Sequence, residues 1–361
     1  MSEMTELTKF NVVSSRVRLA RNVEGMPFSS AVECDPNLLV KMINDVTAAA
    51  NCVAPCDLYL MSRLSKQQKT ALIERHIISL PLANNLETGA VVIERQQKSS
   101  SLPPANNLET GAVVIERGQE SVSIMLNEED RIREQCLVEG FSLGEAYKKL
   151  DRFDDSLLSH LQIAYDRQFG FLTACPTNVG TGMRASTMLF LPALKLAGAI
   201  EIALTEFISK YGLTVRGVYG EGSEALGDMY QLSNTRTLGV DEATIVKIIE
   251  LATIELCASE RRALIALKRE SGNALLDRIS RSFATLSSAY KMSYEEMMKL
   301  VSDAKLGVIL DILPLKDIKK LNQLVWLCSA SSIRLKNNDI AESDVDIARA
   351  SIVRKILKEG N

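Results

Sequence analysis

The sequence predicts an α+β fold that is followed by an all-helical module. Apolar residues alternate with polar ones over Val122, Ile124 and Leu126, which is the period of a β-strand. From Asp241 onward this alternation gives way to helical periodicity, as in TIVKIIELATIEL. A chain of 361 residues is long enough for two domains, each with its own core. We therefore expect a mixed domain first and a helical bundle after it.

Composition and charge narrow the possible functions. A hydrophobic content of 46% and a charged content of 24% are ordinary for a globular chain, and a net charge of -3 argues against a dedicated nucleic-acid binder. The seven cysteines are scattered and odd in number, which favours free thiols in a reducing compartment. With two histidines and no C-x-x-C pair, we expect no structural zinc site. No apolar leader is visible, and Pro192, Lys195 and Glu201 break the longest apolar run, so we expect no secretory signal and no membrane span.

The first segment with unusual chemistry is NVVSSRVRLARN, residues 11–22. Val12 and Val13 predict a short buried strand, after which Arg16 and Arg18 alternate with apolar residues. This spacing is typical of a strand whose basic residues face water, and on spacing alone that interpretation is slightly favoured. The other interpretation is that both arginines project from one face toward an anion.

Five helices are predicted before residue 212, over 35–50, 65–76, 140–171, about 185–199 and 201–211. The first starts at Asp35 with Pro36, and the second is capped by Ser65. The third has start signals at 154–156 (Asp-Asp-Ser) and a stop at Gly170.

A segment of thirteen residues, ANNLETGAVVIER, occurs at 83–95 and again at 105–117. Each copy predicts a turn followed by the strand Ala-Val-Val-Ile. Two copies are too few for a solenoid, so we interpret them as a local tandem duplication. Only one copy is needed for the strand, and the other is expected to be a surface excursion or a paired hairpin.

The strand predicted at 122–126 is followed directly by four polar residues, Asn127, Glu128, Glu129 and Asp130. Three neighbouring acids repel one another unless a cation lies among them. A solvated acidic turn is one interpretation. The other, of about equal weight, is a carboxylate that receives a cationic substrate, with Arg131 and Arg133 nearby for an anion.

The densest segment is CPTNVGTGMRAS, residues 175–186. Gly180 and Gly182 let the backbone turn tightly and approach a ligand closely. Arg184 offers a planar fork of donors for phosphate or carboxylate, and Cys175 opens the loop. A surface turn before a buried helix is the simpler interpretation, but this combination is denser than a connector needs.

A second glycine-rich segment, VRGVYGEGSEALG at 215–227, predicts a flexible loop able to fold over a ligand. It carries Arg216, Glu221 and Glu224, and a strand resumes near Tyr230. In the helical module, Ser293-Tyr-Glu-Glu is a capping box, and the last amphipathic helix covers 342–357.

Taken together, SSRVRLARN, NEEDRIR, CPTNVGTGMRAS and RGVYGEGSEALG resemble, in order and spacing, the catalytic segments of phosphagen (guanidino) kinases, and most closely the bacterial protein-arginine kinases. The resemblance implies a catalytic domain over 11–260, with an antiparallel sheet flanked by helices. It also implies a helical domain over 261–361, for dimerisation and for binding substrate or phosphoarginine.

The resemblance implies transfer of the γ-phosphoryl group of ATP to a guanidinium nitrogen. The implied catalytic residues are Glu129, Glu221 and Cys175. The implied ATP-binding residues are Ser14, Ser15, Arg16, Val17, Arg18, His76, Arg133, Arg184, Ala185, Ser186, Thr187, Met188, Arg216, Gly217, Val218, Tyr219, Gly220 and Glu221. The cofactor is ATP with Mg²⁺, which is held by phosphate and water rather than by a protein metal site.

The sequence departs from the family pattern at several points. Arg131 stands where the family has histidine. The C-terminal phosphoarginine-binding motif is degenerate, because valine replaces its first arginine in the set Val345, Asp346, Arg349 and Ala350. Tyr219 stands where kinases of free arginine have another arginine, and no helical domain precedes the first motif, so we expect protein substrates.

The implied partners are proteins with exposed arginines, including a heat-shock repressor, a Clp protease and a zinc-binding activator protein. The implied setting is the cytoplasmic stress response of a bacterium, with a homodimer formed by the helical module and no contact with nucleic acid or membrane. One alternative is a kinase of small guanidino compounds. Another is a non-catalytic adaptor for arginine-rich or phosphorylated proteins, which the altered C-terminal motif and the duplication leave open.

Overall fold

The computed structural model describes residues 8–28, 33–95, 121–217, 225–270, 272–313, 315, 318–337 and 340–358. The strands in these ranges are β1 (Val12–Arg21), β2 (Cys56–Leu60), β3 (Ala90–Glu94), β4 (Ser121–Leu126), β5 (Ile132–Glu139), β6 (Tyr165–Asp166), β7 (Gly170–Phe171), β8 (Met183–Phe190), β9 (Leu213–Gly217) and β10 (Met229–Asn234). The helices are α1 (Pro36–Val53), α2 (Lys66–Glu74), α3 (Leu80–Asn84), α4 (Leu143–His160), α5 (Pro192–Leu196), α6 (Ile200–Tyr211), α7 (Glu242–Glu270), α8 (Gly272–Ser288), α9 (Tyr294–Ile309), α10 (Ile318–Leu327), α11 (Ala330–Lys336) and α12 (Val345–Lys358).

The predicted fold class is confirmed. Eight strands form one large sheet in the order β2-β3-β4-β5-β1-β8-β10-β9, and β6 pairs with β7 in a separate ribbon. Strand β3 pairs antiparallel with β2 and with β4. Strand β5 pairs antiparallel with β4 and with β1. A helical region follows the sheet, from α7 to the C-terminal end of the described chain. None of the helices in the described ranges is both long and apolar enough to cross a membrane.

The chain divides into two compact units, and each unit is discontinuous in sequence. The first unit comprises Ser14–Thr187 and Ser233–Glu250, and the second comprises Met1–Val13, Met188–Leu232 and Leu251–Asn361. The boundary predicted between residues 260 and 261 falls inside the continuous helix α7. That boundary stays a prediction.

The first unit confirms the two helices predicted near its start. Helix α1 begins where the Asp35 carboxylate accepts a hydrogen bond from Asn37 N at 2.9 Å. Helix α2 begins with a capping box, in which Gln68 N donates to Ser65 Oγ and Ser65 N donates to Gln68 Oε1. Strand β3 lies between β2 and β4, so its central apolar residues Val91–Ile93 are all buried.

In the second unit, apolar side chains of the C-terminal helices form one large core. It includes Leu286, Val301, Leu324 and Val353, and Phe190 of β8 contributes to it. Residue Ser293 caps α9, because Glu296 N donates to its hydroxyl at 3.1 Å. This N-terminal cap was predicted from the sequence, and it fixes where α9 starts.

The helix predicted over 185–199 is wrong. This stretch begins within strand β8, and only the short helix α5 follows it before Gly198. A short apolar run does not distinguish a buried strand from a buried helix, and tertiary pairing decides. Here Ala185 N donates to Asn234 Oδ1 at 2.8 Å, which ties β8 to the end of β10.

The helix predicted over 140–171 is right in type but wrong at both ends. Helix α4 starts after Ser142 and ends at His160, and the residues beyond it include the β6–β7 ribbon. The supposed start signal, Asp154, lies inside the helix with 6% exposure. Its carboxylate is not a cap, because it is paired with Arg21.

The first copy of the duplicated segment supplies the end of α3, a turn and all of β3. The second copy, 105–117, lies outside the described residues. The prediction that one copy occupies the strand is therefore met by the first copy, and the position of the second stays a prediction.

Candidate active site

Strand β1 places two of the predicted arginines on one face. Its residues alternate between partly buried and buried, so Arg16 and Arg18 share a side while Ser15, Val17 and Leu19 point into the core. The register of β1 with β5 sets Arg18 opposite Gln135. The alternation expected from the sequence is therefore present, with the basic residues on the less buried side.

Three further guanidinium groups lie close to Arg18. Burial, followed by the charges of Arg16, Arg133 and Arg184, lowers the pKa of Arg18 well below its ordinary value. The Nε of Arg18 is enclosed and has no hydrogen-bond partner among the described residues. Like charges this close oppose one another, and a buried donor without an acceptor costs free energy. An anion bound among them would relieve both costs.

The Glu128 carboxylate pairs with one arginine of this cluster, Arg133. Arg133 Nη1 donates to Glu128 Oε2 at 2.6 Å, and Glu128 is 5% exposed. Burial raises the pKa of Glu128, but the charge and hydrogen bond of Arg133 outweigh it and hold that pKa below the ordinary value. Glu128 is therefore an internal counter-ion of Arg133.

Residues 127–131, here named the acid loop, form a tight turn between β4 and β5. Asn127 has a φ of +59°, its N donates to Arg131 O at 2.9 Å, and Glu128 N donates to Asp130 O at 3.2 Å. Glu128 and Asp130 are buried, whereas Glu129 is exposed. Of the three acids, the turn presents only Glu129 to solvent.

Arg131, which the sequence analysis placed near an anion, has a different role. It is 1% exposed, its Nε donates to Pro27 O at 2.6 Å, and its Nη1 donates to Asn127 Oδ1 at 3.3 Å. Burial lowers the pKa of its guanidinium group. Arg131 thus braces the acid loop from inside and does not join the four clustered arginines.

Residues 175–182, here named the cysteine loop, are held by Thr237. Its hydroxyl lies 2.8 Å from both Thr177 O and Val179 O, and its carbonyl accepts from Thr181 N at 3.0 Å. Gly180 has a φ of +114°, and a Cβ there would collide with Thr237 O. Gly180 was expected to let the backbone approach a ligand closely, but here it lets the loop approach the backbone of Thr237. Cys175 is half-buried, with Sγ 3.1 Å from Thr177 Oγ1.

Two family models match the chain. Residues 39–263 match ATP:guanido phosphotransferase, C-terminal catalytic domain, and residues 272–361 match the protein-arginine kinase McsB C-terminal domain. The protein-arginine kinase of Caldanaerobacter subterraneus subsp. tengcongensis is 37% identical over 360 residues, 99% of each chain. The chain belongs to the protein-arginine kinase family. Another relative, the protein-arginine kinase of Moorella thermoacetica, is 37% identical over 96% of this chain and 93% of its own.

Solved structures of guanidino kinases share the fold. The duplicated taurocyamine kinase from Schistosoma mansoni has a TM-score of 0.58 and 23% identity, over 82% of this chain and 40% of that one. This chain thus spans about two-fifths of the length of that duplicated protein. Lombricine kinase has a TM-score of 0.56 and 21% identity, over 71% of this chain and 67% of that one. At these identities the likeness concerns the fold alone.

Several residues that the family resemblance assigned to ATP binding are buried or make hydrogen bonds within the protein. Ser15 is fully buried, and its hydroxyl donates to Gly140 O at 2.8 Å and accepts from Ser142 N at 3.0 Å. His76 has a φ of +57°, and its carbonyl accepts from Gln135 Nε2 at 2.6 Å. The β8 residues that follow Arg184, namely Ala185, Ser186 and Thr187, are buried, whereas Met188 is partly buried.

The structure describes the glycine-rich segment 215–227 only at its two ends. Arg216 and Gly217 end β9 in the second unit. Residues 218–224, which include Val218, Tyr219, Gly220 and Glu221, lie outside the described residues. The proposed pairing of Glu129 with Glu221 on one substrate group therefore stays a prediction.

The degenerate C-terminal motif lies at the start of α12, and its arginine is already hydrogen-bonded. Arg349 is 2% exposed, and its Nε donates to Cys328 O at 2.8 Å. Its Nη1 donates to Met292 O at 2.9 Å and also to Asp346. Val345 and Ala350 are buried beside it. These contacts engage Nε and Nη1 of Arg349 within the protein itself.

The residues that position the two loops are not recognisable from the sequence alone. Thr237 lies far along the chain from the cysteine loop, and no spacing rule connects them. Arg21 and Asn22 stand in the same motif as Arg16 and Arg18, but their role emerges only from the fold. Polar residues at the end of a predicted buried strand were the one available signal.

Proposed function

We propose that this chain is an ATP-dependent protein-arginine kinase, which transfers the γ-phosphoryl group of ATP to a guanidinium nitrogen of arginine in proteins. The observation that carries the proposal is Arg18, whose enclosed Nε has no acceptor among the described residues while three further guanidinium groups surround it. Such a concentration of fixed positive charge suits a polyphosphate, because arginine binds phosphate oxygens through paired donors.

The residues fit the phosphates of ATP. Arg16, Arg18, Arg133 and Arg184 would hold the phosphate oxygens, and Glu128 fixes the position of Arg133. Mg²⁺ bound with the nucleotide neutralises the developing charge and orients the phosphates. The cation is proposed to be held by phosphate and water, as Mg²⁺ usually is in nucleotide sites.

The guanidinium acceptor needs a carboxylate, because the group is cationic and a weak nucleophile. Glu129 is the exposed acid of the acid loop and would orient the guanidinium plane and accept its proton. Cys175 is proposed to contact the same substrate group. Glu221 is proposed as the second carboxylate. In this mechanism the protein acts by positioning the reactants and by balancing charge.

Proteins are proposed as substrates because the relatives that match this chain nearly end to end are named protein-arginine kinases. We further propose a cytoplasmic enzyme of the bacterial stress response that acts as a homodimer. Its proposed partners are a heat-shock repressor, a Clp protease and a zinc-binding activator protein. These finer assignments follow from the family resemblance.

The test is transfer of radiolabelled phosphate from ATP to a denatured arginine-rich protein, with free arginine assayed in parallel. The expected product is acid-labile phosphate on the protein. Glu129→Gln should lower the rate by about 10²- to 10⁴-fold, the usual contribution of a positioned acid or base, without loss of nucleotide binding.

Glu139→Gln is the matched control, because Glu139 is an exposed acid at the far end of β5. It should leave the rate unchanged. Wild-type activity in Glu129→Gln, or acid-stable phosphate in the product, would contradict the proposal. Transfer to free arginine alone would instead identify a kinase of small guanidino compounds.

A further inference from the structure

Two buried residues at the end of β1 take no part in the chemistry proposed above, yet they contact both loops of the site. Arg21 is 1% exposed and Asn22 is fully buried. A buried arginine is costly unless every donor finds a partner. The partners of these two residues therefore indicate what the fold uses them for.

Arg21 joins the cysteine loop to helix α4. Its Nε and Nη2 donate to the two carboxylate oxygens of Asp154 at 2.9 and 2.7 Å. Its Nη1 donates to Thr181 O, within the cysteine loop, and to Ala20 O, both at 2.9 Å. The guanidinium carbon lies 3.6 Å from the centre of the Phe171 ring. One planar group thus makes an ion pair, a backbone contact and a ring stack.

The cysteine loop is shaped to accept Arg21. Gly182 has a φ of +63°, and a Cβ there would lie 2.6 Å from both Ala20 O and Arg21 Nη1. Ala20 N also donates to Gly182 O at 2.9 Å. The end of the loop therefore lies directly on the backbone and guanidinium group of β1, with no space between them.

Asn22 makes the matching connection to the acid loop. Its Oδ1 accepts from Arg131 N at 2.8 Å, and its Nδ2 donates to Asp130 Oδ1 at 2.8 Å. Asp130 Oδ1 also accepts from Ala174 N at 2.6 Å, one residue before Cys175. The two loops consequently share one hydrogen-bonded link, Arg131–Asn22–Asp130–Ala174, beside the contact that Arg21 makes.

We propose that Arg21 and Asn22 are positioning residues, which together form a clasp that sets Cys175 and Glu129 at a fixed separation. The inference rests on the proposed function, since it assigns a purpose to the spacing of two residues in that reaction. The clasp itself touches neither substrate nor nucleotide. Its contribution is to the geometry of the acceptor site rather than to phosphate binding.

Lysine cannot replace Arg21 in this role. An ammonium group has no planar fork, so it cannot donate to both Asp154 oxygens, to Thr181 O and stack on Phe171 at once. Arg21→Lys should therefore keep a charge beside Asp154 and release the cysteine loop. Asp154→Asn is the second variant, which weakens the ion pair without changing side-chain shape.

Arg95→Lys is the matched control. Arg95 also pairs with an aspartate through two nitrogens, Nε and Nη2 to Asp57, but this pair touches neither loop. All variants are compared at a temperature where thermal unfolding shows each one to be folded. Two readouts are taken: kcat and KM for the arginine substrate and for ATP, and the rate of alkylation of Cys175 by iodoacetamide. The exposed thiol of Cys52 serves as the internal reference for alkylation.

The expected result is a loss of kcat of about a hundredfold in Arg21→Lys, the usual cost of misplacing reacting groups by an ångström, with KM for ATP unchanged. The alkylation ratio of Cys175 to Cys52 should rise in Arg21→Lys and Asp154→Asn, and stay at the wild-type value in Arg95→Lys. An unchanged ratio in both clasp variants overturns the proposal. A raised ratio with wild-type kcat also overturns it, because the loop then moves without consequence. If the wild-type chain transfers no phosphate to arginine, the proposed function fails, and the alkylation ratio still tests the clasp.

Discussion

Among single residues, Glu134 shows most clearly how burial sets chemistry in this molecule. It is fully buried on β5, and neither carboxylate oxygen has a hydrogen-bond partner among the described residues. Burial, followed by repulsion from Asp154, raises its pKa well above the ordinary value, despite the opposing charge of Arg21. We infer that Glu134 is neutral in the folded chain, beside the ion pair of Arg21 with Asp154.

Replacing Glu134 tests this assignment through the pH dependence of stability. The pKa of Glu134 is higher in the folded than in the unfolded chain, where it is about 4.3. The contribution of Glu134 to the free energy of unfolding is therefore fully present below pH of about 4.3. It is lost as pH rises toward the folded pKa, by up to about 1.4 kcal/mol per pH unit. Glu134→Gln removes this loss, so the free energy of unfolding of the variant should gain on the wild type as pH increases from 5 to 8. Urea unfolding across that range measures it. Glu139→Gln, at an exposed position, should run parallel to the wild type, and a parallel course for Glu134→Gln would disprove the neutral form.

Arg18 illustrates a conflict between stability and binding. Replacing it with methionine removes repulsion among the guanidinium groups, so the nucleotide-free chain should gain roughly 0.5–2 kcal/mol in free energy of unfolding. The same change removes a charged hydrogen-bond donor to phosphate, worth about 1.5–3 kcal/mol, so ATP should bind roughly ten- to a hundredfold more weakly. Thermal unfolding with and without ATP measures both effects. A variant that is destabilised without ATP yet equally stabilised by it would contradict the proposed phosphate site.

Among the secondary-structure elements, β3 raises the question of which duplicate forms the strand. Residues 79–95 and 101–117 are identical except that Pro104 matches Leu82. Leu82 is fully buried, and its N donates to Ser79 Oγ at 3.2 Å. Proline has no N–H for this bond and lacks the shape of the leucine side chain. This single difference favours the first copy.

The duplication supplies its own matched pair of variants. Val92 is 1% exposed and lies opposite Leu58 on β2 and Ile124 on β4. Val92→Asp buries an unpaired charge and should cost about 3–5 kcal/mol. Val114→Asp changes the equivalent residue of the second copy and should cost within about 0.5 kcal/mol, as substitutions away from a core do. Urea unfolding compares the two, and a larger loss in Val114→Asp would reverse the assignment.

The elements also show where sequence reasoning is sufficient and where it fails. Local signals at Asp35, Ser65 and Ser293 correctly predicted three helix starts, because a capping hydrogen bond depends only on neighbouring residues. The helix predicted over 185–199 was wrong because an apolar run of this kind is compatible with either a strand or a helix. Only pairing with strands distant in the sequence decides between the two. The clasp was not predictable for the same reason, since Arg21 meets Asp154 and Thr181 only after the sheet has formed.

At the scale of the whole chain, the arginines proposed to bind phosphate lie in the first unit, and the degenerate C-terminal motif lies in the second. Allosteric activation of the kinase through the C-terminal motif would require that this motif bind a ligand. The coupling free energy between the two sites comes from that binding. Arg349 already donates to Cys328 O, Met292 O and Asp346. Because Nε and Nη1 of Arg349 are engaged in these contacts, we expect this motif not to sense phosphoarginine.

Free phosphoarginine should accordingly leave the rate of arginine phosphorylation unchanged. Restoring the missing arginine by Val345→Arg is the informative comparison, although Val345 is 4% exposed and the change will cost stability. The measurement is the initial rate of phosphate transfer across a titration of phosphoarginine, with arginine as the control ligand. Activation of the wild-type chain by phosphoarginine would contradict the interpretation.

The connection from β3 to β4 has a practical consequence for engineering. Ile93 and Ser123 are direct neighbours in the sheet, so β3 ends close to where β4 begins. The entropic cost of lengthening a connection between two fixed ends grows only slowly with the number of residues. A fluorescent reporter domain whose own termini are adjacent can therefore be spliced between these strands, which would give a labelled kinase without extending either end of the polypeptide.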